Sequence, residues 1–284
     1  MGQQLKDSGV DVDKARSDFK QLQNMQAEYL DLTIQAGLAA GGALPPPFNL
    51  PADIGAVGYS FSKGDWWGVG LDLVGFIPVV DILAKGGKIA DKLNDIRKAI
   101  NIAGPGLQKS FNKTKEVAAK YWDDLATKNR KAYDDAIKNC KTKACRDEKA
   151  HLKGPQYKNI PKDGPKGKWE GERGESKWVP ANGNPPVEYK NGFPDYGPLS
   201  KGDVEIAMKG NNYDDFKAAD KAMQAKLGDS SWERPRDHTW HHKEDGVTMQ
   251  LIPSKYHATG GGASTPHTGG AALYRPGASH TADF

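Results

Sequence analysis

Six of the seven histidines in this chain, His238, His241, His242, His257, His267 and His280, fall in the last 47 residues, and only His151 lies earlier. Imidazole ligates divalent transition metals through either ring nitrogen, and it is the side chain that titrates near neutrality. Several imidazoles in one small region therefore suit a metal-assisted hydrolase.

The elements that must position these rings are legible locally. Asp237-His238-Thr239-Trp240-His241-His242 leads into Lys243-Glu244-Asp245-Gly246, and Asp-Gly is a favoured hairpin turn. Val247 to Ile252 then reads as a strand, and Ser254-Lys255-Tyr256-His257 after Pro253 as the start of a short helix. A hairpin followed by a short helix is the skeleton of a ββα-metal nuclease site. Neighbouring strand residues point to opposite faces, so His241 and His242 share a site only where the strand ends, twists or bulges. Asp237 and His238 stand next to them as substitute ligands or orienting groups. Ten positions and a glycine run separate His257 from His267, so one of these two need not reach the others.

Upstream, apolar residues from Asp11 to Ala40 recur at helical spacing, and Pro45-Pro46-Pro47 ends that helix with a stiff connector. Residues 53–84 are the most apolar stretch, but Asp72, Pro78 and Asp81 interrupt it. It falls short of the roughly 20 residues that span a bilayer, which favours a buried helical hairpin over a stable membrane span. Residues 106–150 predict one or two basic helices, and Asp214 to Leu227 a short amphipathic helix stopped by Gly228. The expected fold is α+β, with an α-helical N-terminal region preceding a small ββα-metal domain. The expected units are 1–50, 51–151 and 152–284.

The net charge of +4 suits a polyanionic partner without demanding one. Two cysteines, Cys140 and Cys145, are too few for a disulfide framework or a zinc ribbon, and can form a local disulfide or stay reduced. The first residues lack the apolar core of a secretory signal, so export would need a dedicated machine. Glu172-Arg173 offers either a phosphate clamp on Arg173 with Glu172 joining the metal or orienting a histidine, or an internal salt bridge at the domain entrance.

The segment TWHHKEDGVTMQLIPSKYH, followed by STPHTGG, is similar to the WHH family of the HNH/endonuclease VII superfamily of bacterial toxin nucleases. With GKWEGERGESKWVP and EYKNGFPDYGPLS upstream, the resemblance covers residues 165–270. It implies that His241 is a metal ligand, that His242 is the general base activating water, and that His257 and His267 complete the metal shell. The implied cofactor is one divalent ion, magnesium, manganese, zinc or nickel. The implied substrate is nucleic acid, DNA favoured over RNA, and the implied protein partner is a cognate immunity protein. DIGAVGYSFSKGDWWGVGLDLVGFIPVVDILAKGGKIADK resembles the pre-toxin region of bacterial polymorphic toxins. That implies synthesis in a bacterial cytoplasm, export by a specialised secretion system and action in the cytoplasm of a competitor cell. Two other classes compete: a structural-metal or nucleic-acid-binding protein without turnover, and a membrane-active toxin working through residues 54–84.

Overall fold

A computed structural model describes residues 2–39, 88–257 and 265–270. The triple proline and the expected apolar hairpin of residues 54–84 lie outside the described residues. Among the described residues, no helix is long and apolar enough to cross a membrane.

The helical part contains α1 (Gly2–Asp7), α2 (Val12–Ala39), the 50-residue α3 (Lys88–Ile137) and α4 (Lys143–Lys149). Where one or two basic helices were expected over 106–150, α3 begins earlier and runs through Pro105 without ending. Proline removes one backbone donor from a helix, and the apolar face of α3 compensates by packing: Leu93, Ile100, Leu107 and Phe111 are all buried. Cys140 and Cys145 are disulfide-bonded, with Cα atoms 5.4 Å apart, closing the turn between α3 and α4.

Two antiparallel sheets follow. The first is a meander of β1 (Gly167–Trp169), β2 (Lys177–Pro180), β3 (Val187–Lys190) and β4 (Phe193–Pro194). The second has the order β5-β7-β6, with β5 (Asp203–Glu205), β6 (His238–His242) and β7 (Thr248–Pro253). Helix α5 (Asn212–Leu227) connects β5 to β6 and stops at Gly228 in the left-handed conformation, φ 63°. The one-turn α6 (Ser254–His257) follows β7 directly. The mixed α+β class read from the sequence is the observed one.

The second sheet is covered on both faces, which explains why Trp240, His241 and His242 are buried in succession. On one face Val204, Trp240, Met249 and Leu251 join a core with Ala219 and Met223 of α5, Phe19 and Leu22 of α2, and Leu107 and Phe111 of α3. On the other, Ile252 and Tyr256 join an aromatic core of Tyr157, Trp169, Trp178, Tyr189 and Tyr196. The helical part thus shares its core with the second sheet. Polar contacts reinforce this union. Arg16 donates to the Met208 carbonyl at 2.9 and 3.0 Å, Gln23 to that of Ala218 at 2.8 Å, and Trp122 Nε1 to that of Glu244 at 3.2 Å.

Candidate metal centre and its surroundings

The β6–β7 register places His241 opposite Gln250 and His242 opposite Met249. His241 points to the aromatic side of the sheet, where its ring lies edge-on to Tyr196 with centroids 4.7 Å apart. His257, from the end of α6, and His267 complete a near-equilateral triangle with it: centroid separations are 5.3 Å (241–257), 5.0 Å (241–267) and 5.1 Å (257–267). One ligand atom from each of the three lies within 4.8 Å of the others. The ten-residue interval that left His257 and His267 in doubt does not keep them apart.

Tyrosines of the first sheet's aromatic core close that interval. Tyr196 Oη lies 2.7 Å from Thr265 Oγ1, and Thr265 Oγ1 donates to the Tyr256 carbonyl at 2.7 Å. Tyr189 Oη donates to the Pro266 carbonyl at 3.3 Å, and Asn159 Nδ2 to Thr268 Oγ1 at 3.2 Å. Gly270 rests so close to the β6 end that a Cβ there would meet the His242 carbonyl oxygen at 2.6 Å and that of Lys243 at 2.7 Å. Residues 265–270 are therefore pinned on two sides, and His267 with them.

The electrostatics favour neutral imidazoles. Burial lowers the His241 pKa well below the ordinary imidazole value, helped by repulsion from His267, His257 and His242. Burial, with repulsion from His267 and His242, brings His257 down to about 3. Burial brings His267 down to about 4, against a contact with the Thr265 carbonyl that works upward. His267 Nδ1 donates to that carbonyl at 3.0 Å, which directs the lone pair to Nε2.

These same atoms lack protein partners. Both ring nitrogens of His241, Nε2 of His257 and Nε2 of His267 are buried with no hydrogen-bond partner. Buried polar atoms are ordinarily satisfied, because an orphan costs about 1–3 kcal/mol. One nitrogen from each of three such histidines, all within 4.8 Å of one another, fits a bound cation, and three protein ligands leave such an ion a position for water or substrate.

His242, the last residue of β6, goes the other way. Its Nε2 lies 3.0 Å from Asp215 Oδ2, and its ring is 5.7 Å from that of Phe216. His238 pairs locally with exposed Asp237 at 2.7 Å. It lies on the same side of β6 as Trp240 and His242 by strand alternation, and neither it nor Asp237 joins the trio.

The phosphate clamp considered for Arg173 is not what the structure shows. Arg173 is buried, and its guanidinium donates to the carbonyls of Pro161, Asp147, Tyr157 and Ile160. A guanidinium so engaged has no free edge for substrate. Glu172 pairs with the buried Lys153, whose ammonium also lies 4.5 Å from the Tyr133 ring centroid. Glu172 ties the β1–β2 loop to α3 through Lys153, and Arg173 ties it to α4 and to residues 157–161, because buried charge demands local partners.

Tyr196, Thr265 and Asp215 were missed in the sequence. Thr265 lies two residues before His267, but nothing local distinguishes it from any other loop threonine. Asp215, in the acidic first turn of α5, reads as an ordinary complement to the helix dipole.

Residues 232–277 match a family described as a nuclease of the HNH/ENDO VII superfamily with conserved WHH. No curated protein and no solved structure matches the chain.

Proposed function

Taking residues 232–277 as a WHH domain, whose family hydrolyses phosphodiester bonds in nucleic acid with a divalent metal, we propose that this chain is an endonuclease toxin. His241, His257 and His267 hold one divalent ion, and His242 is its general base. The observation that carries this reading is the set of four partnerless ring nitrogens, buried and borne by three mutually close histidines. When bound, the ion would neutralise charge on the scissile phosphate and on the departing sugar oxygen.

The protein's own groups account for the rest. His242 takes a proton from water as the water oxygen bonds to phosphorus, and the bond from phosphorus to the leaving oxygen breaks. His242 directly follows the ligand His241 and is the last residue of β6, where the strand ends, and this supports its assignment as the base. Thr265 and Tyr196 orient His267, while Tyr196 walls the ring of His241. A donor set made only of imidazoles favours a borderline transition ion such as zinc or nickel over magnesium, which prefers oxygen.

DNA is the favoured substrate. The pre-toxin-like segment at 53–92 supports delivery into competitor cells through a specialised secretion system, action in their cytoplasm, and a cognate immunity protein protecting the producer. The test is cleavage of plasmid DNA and total RNA by the full chain, with zinc, nickel, manganese or magnesium, and with chelator. Metal-dependent cutting that His242→Ala abolishes in a folded protein is expected. If no metal supports cutting, while chelation lowers the melting temperature, the site is a structural metal centre instead.

A further inference from the structure

Asp215 lies outside the matched segment, in the first turn of α5, and it is 1% exposed. Its carboxylate is held by the backbone that precedes the helix. Oδ1 accepts from Lys209 N at 2.8 Å, and Oδ2 from Gly210 N at 2.9 Å and Asn211 N at 3.1 Å. The remaining contact of Oδ2 is His242 Nε2, at 3.0 Å. Both oxygens already accept backbone N–H groups, which can only donate, so the histidine supplies the proton of that last bond. A histidine that donates through Nε2 keeps its lone pair on Nδ1, the nitrogen nearer its backbone.

We propose that Asp215 is the positioning residue of the reaction, fixing the tautomer and orientation of His242 so that Nδ1 is the atom that takes the proton. This inference rests on the reading of His242 as the base. Asp215 acts through His242 and is not expected to touch the substrate or the ion. The working nuclease then extends upstream of the matched segment, because α5 and the 209–211 turn supply the support for its base. Three backbone donors make Asp215 a rigid support: moving the carboxylate would break contacts on both of its oxygens. This is the economy by which orienting groups behind a functional histidine act.

The test uses the full chain in three forms, wild type, Asp215→Asn and His242→Ala, assayed on plasmid DNA with zinc or nickel, kcat and KM being determined separately. Nitrogen-15 spectra of the histidine side chains read the tautomer of His242 directly. The wild type is expected to show His242 protonated at Nε2 and bare at Nδ1. Asp215→Asn is expected to lower kcat at least tenfold, with KM and zinc affinity within about twofold of wild type, and to mix the tautomers. If His242→Ala is inactive while folded Asp215→Asn keeps wild-type kcat and tautomer, the positioning role is overturned and the base is not. If His242→Ala itself retains wild-type kcat, the base assignment fails, and the positioning role with it. Should Asp215→Asn fail to fold, the wild-type spectrum decides, because a proton on Nδ1 of His242 contradicts the proposal.

Discussion

His241 and His242 are adjacent in β6 and leave it toward opposite faces of the sheet: His241 stacks edge-on against Tyr196 with ring centroids 4.7 Å apart, and His242 reaches Asp215 at 3.0 Å. Strand alternation requires this divergence, and it separates two demands that one environment could not meet. The aromatic side removes water and leaves ring nitrogens bare, whereas the α5 side offers a carboxylate. Replacing His241 by an apolar ring should expose the cost of the first. His241→Phe is expected to weaken zinc binding more than about 100-fold, in keeping with the loss of a ligand rather than of its support. It should also stabilise the chelated protein by roughly 1 kcal/mol, since two orphaned nitrogens disappear. Zinc titration calorimetry and urea denaturation in chelator check the two halves, and an unchanged zinc affinity would remove His241 from the metal shell.

The depressed histidines make the metal-free protein sensitive to acid. In the unfolded chain imidazoles take up protons near pH 6.5, but burial postpones uptake to about 4 for His267 and about 3 for His257. Between those limits the unfolded chain binds more protons, so stability falls as pH drops from 6.5 toward 4. Half-buried Glu244 opposes this, because burial raises its carboxyl to about 7, so that between pH 7 and 4.5 the folded state takes up the extra proton. Comparing wild type with His257→Gln/His267→Gln isolates the histidines, since Glu244 is common to both. Melting temperatures in chelator are expected to fall more steeply with acid for wild type. Parallel curves would mean that the imidazoles are not desolvated in solution.

Gly270 offers a test of how His267 is held. Gly270→Ala places a methyl 2.6 Å from the His242 carbonyl oxygen and 2.7 Å from that of Lys243, both backbone atoms that cannot swing aside. The 265–270 segment must lift and carry His267 with it. Zinc affinity is expected to drop about tenfold. Gly269→Ala, which meets nothing within 4 Å, is the matched control and should bind zinc as wild type does. Equal affinities in the two variants would show that His267 is positioned from elsewhere.

The shared core predicts a single unfolding unit. Leu22, on α2, is 1% exposed and lies in the same cluster as Trp240 and Met249 of the β6–β7 hairpin. Leu22→Ala is expected to cost about 2–5 kcal/mol and to shift the urea midpoints of circular dichroism and tryptophan fluorescence together. Separate transitions, with the fluorescence midpoint unmoved, would show that the helices and the second sheet unfold independently.

The sequence by itself determined those features that depend on neighbours along the chain. Gly228 stops α5, Asp245-Gly246 turns the hairpin, and Ser254–His257 adds one helical turn. Each follows from capping, turn chemistry or apolar periodicity, which act over a few residues. The types of the site residues were legible for the same reason, as an uneven distribution of histidine. Tertiary structure decided which of them meet. His267 reaches His241 only because Tyr189 and Tyr196, some 70 residues earlier, hold the 265–270 segment. His242 finds its partner 27 positions away on α5, and Arg173 turns inward because carbonyls of α4 and of residues 157–161 are there to receive it. Such choices are made by burial. A buried donor or acceptor takes whichever partner the packing of remote elements presents, and no pattern of local spacing encodes that partner.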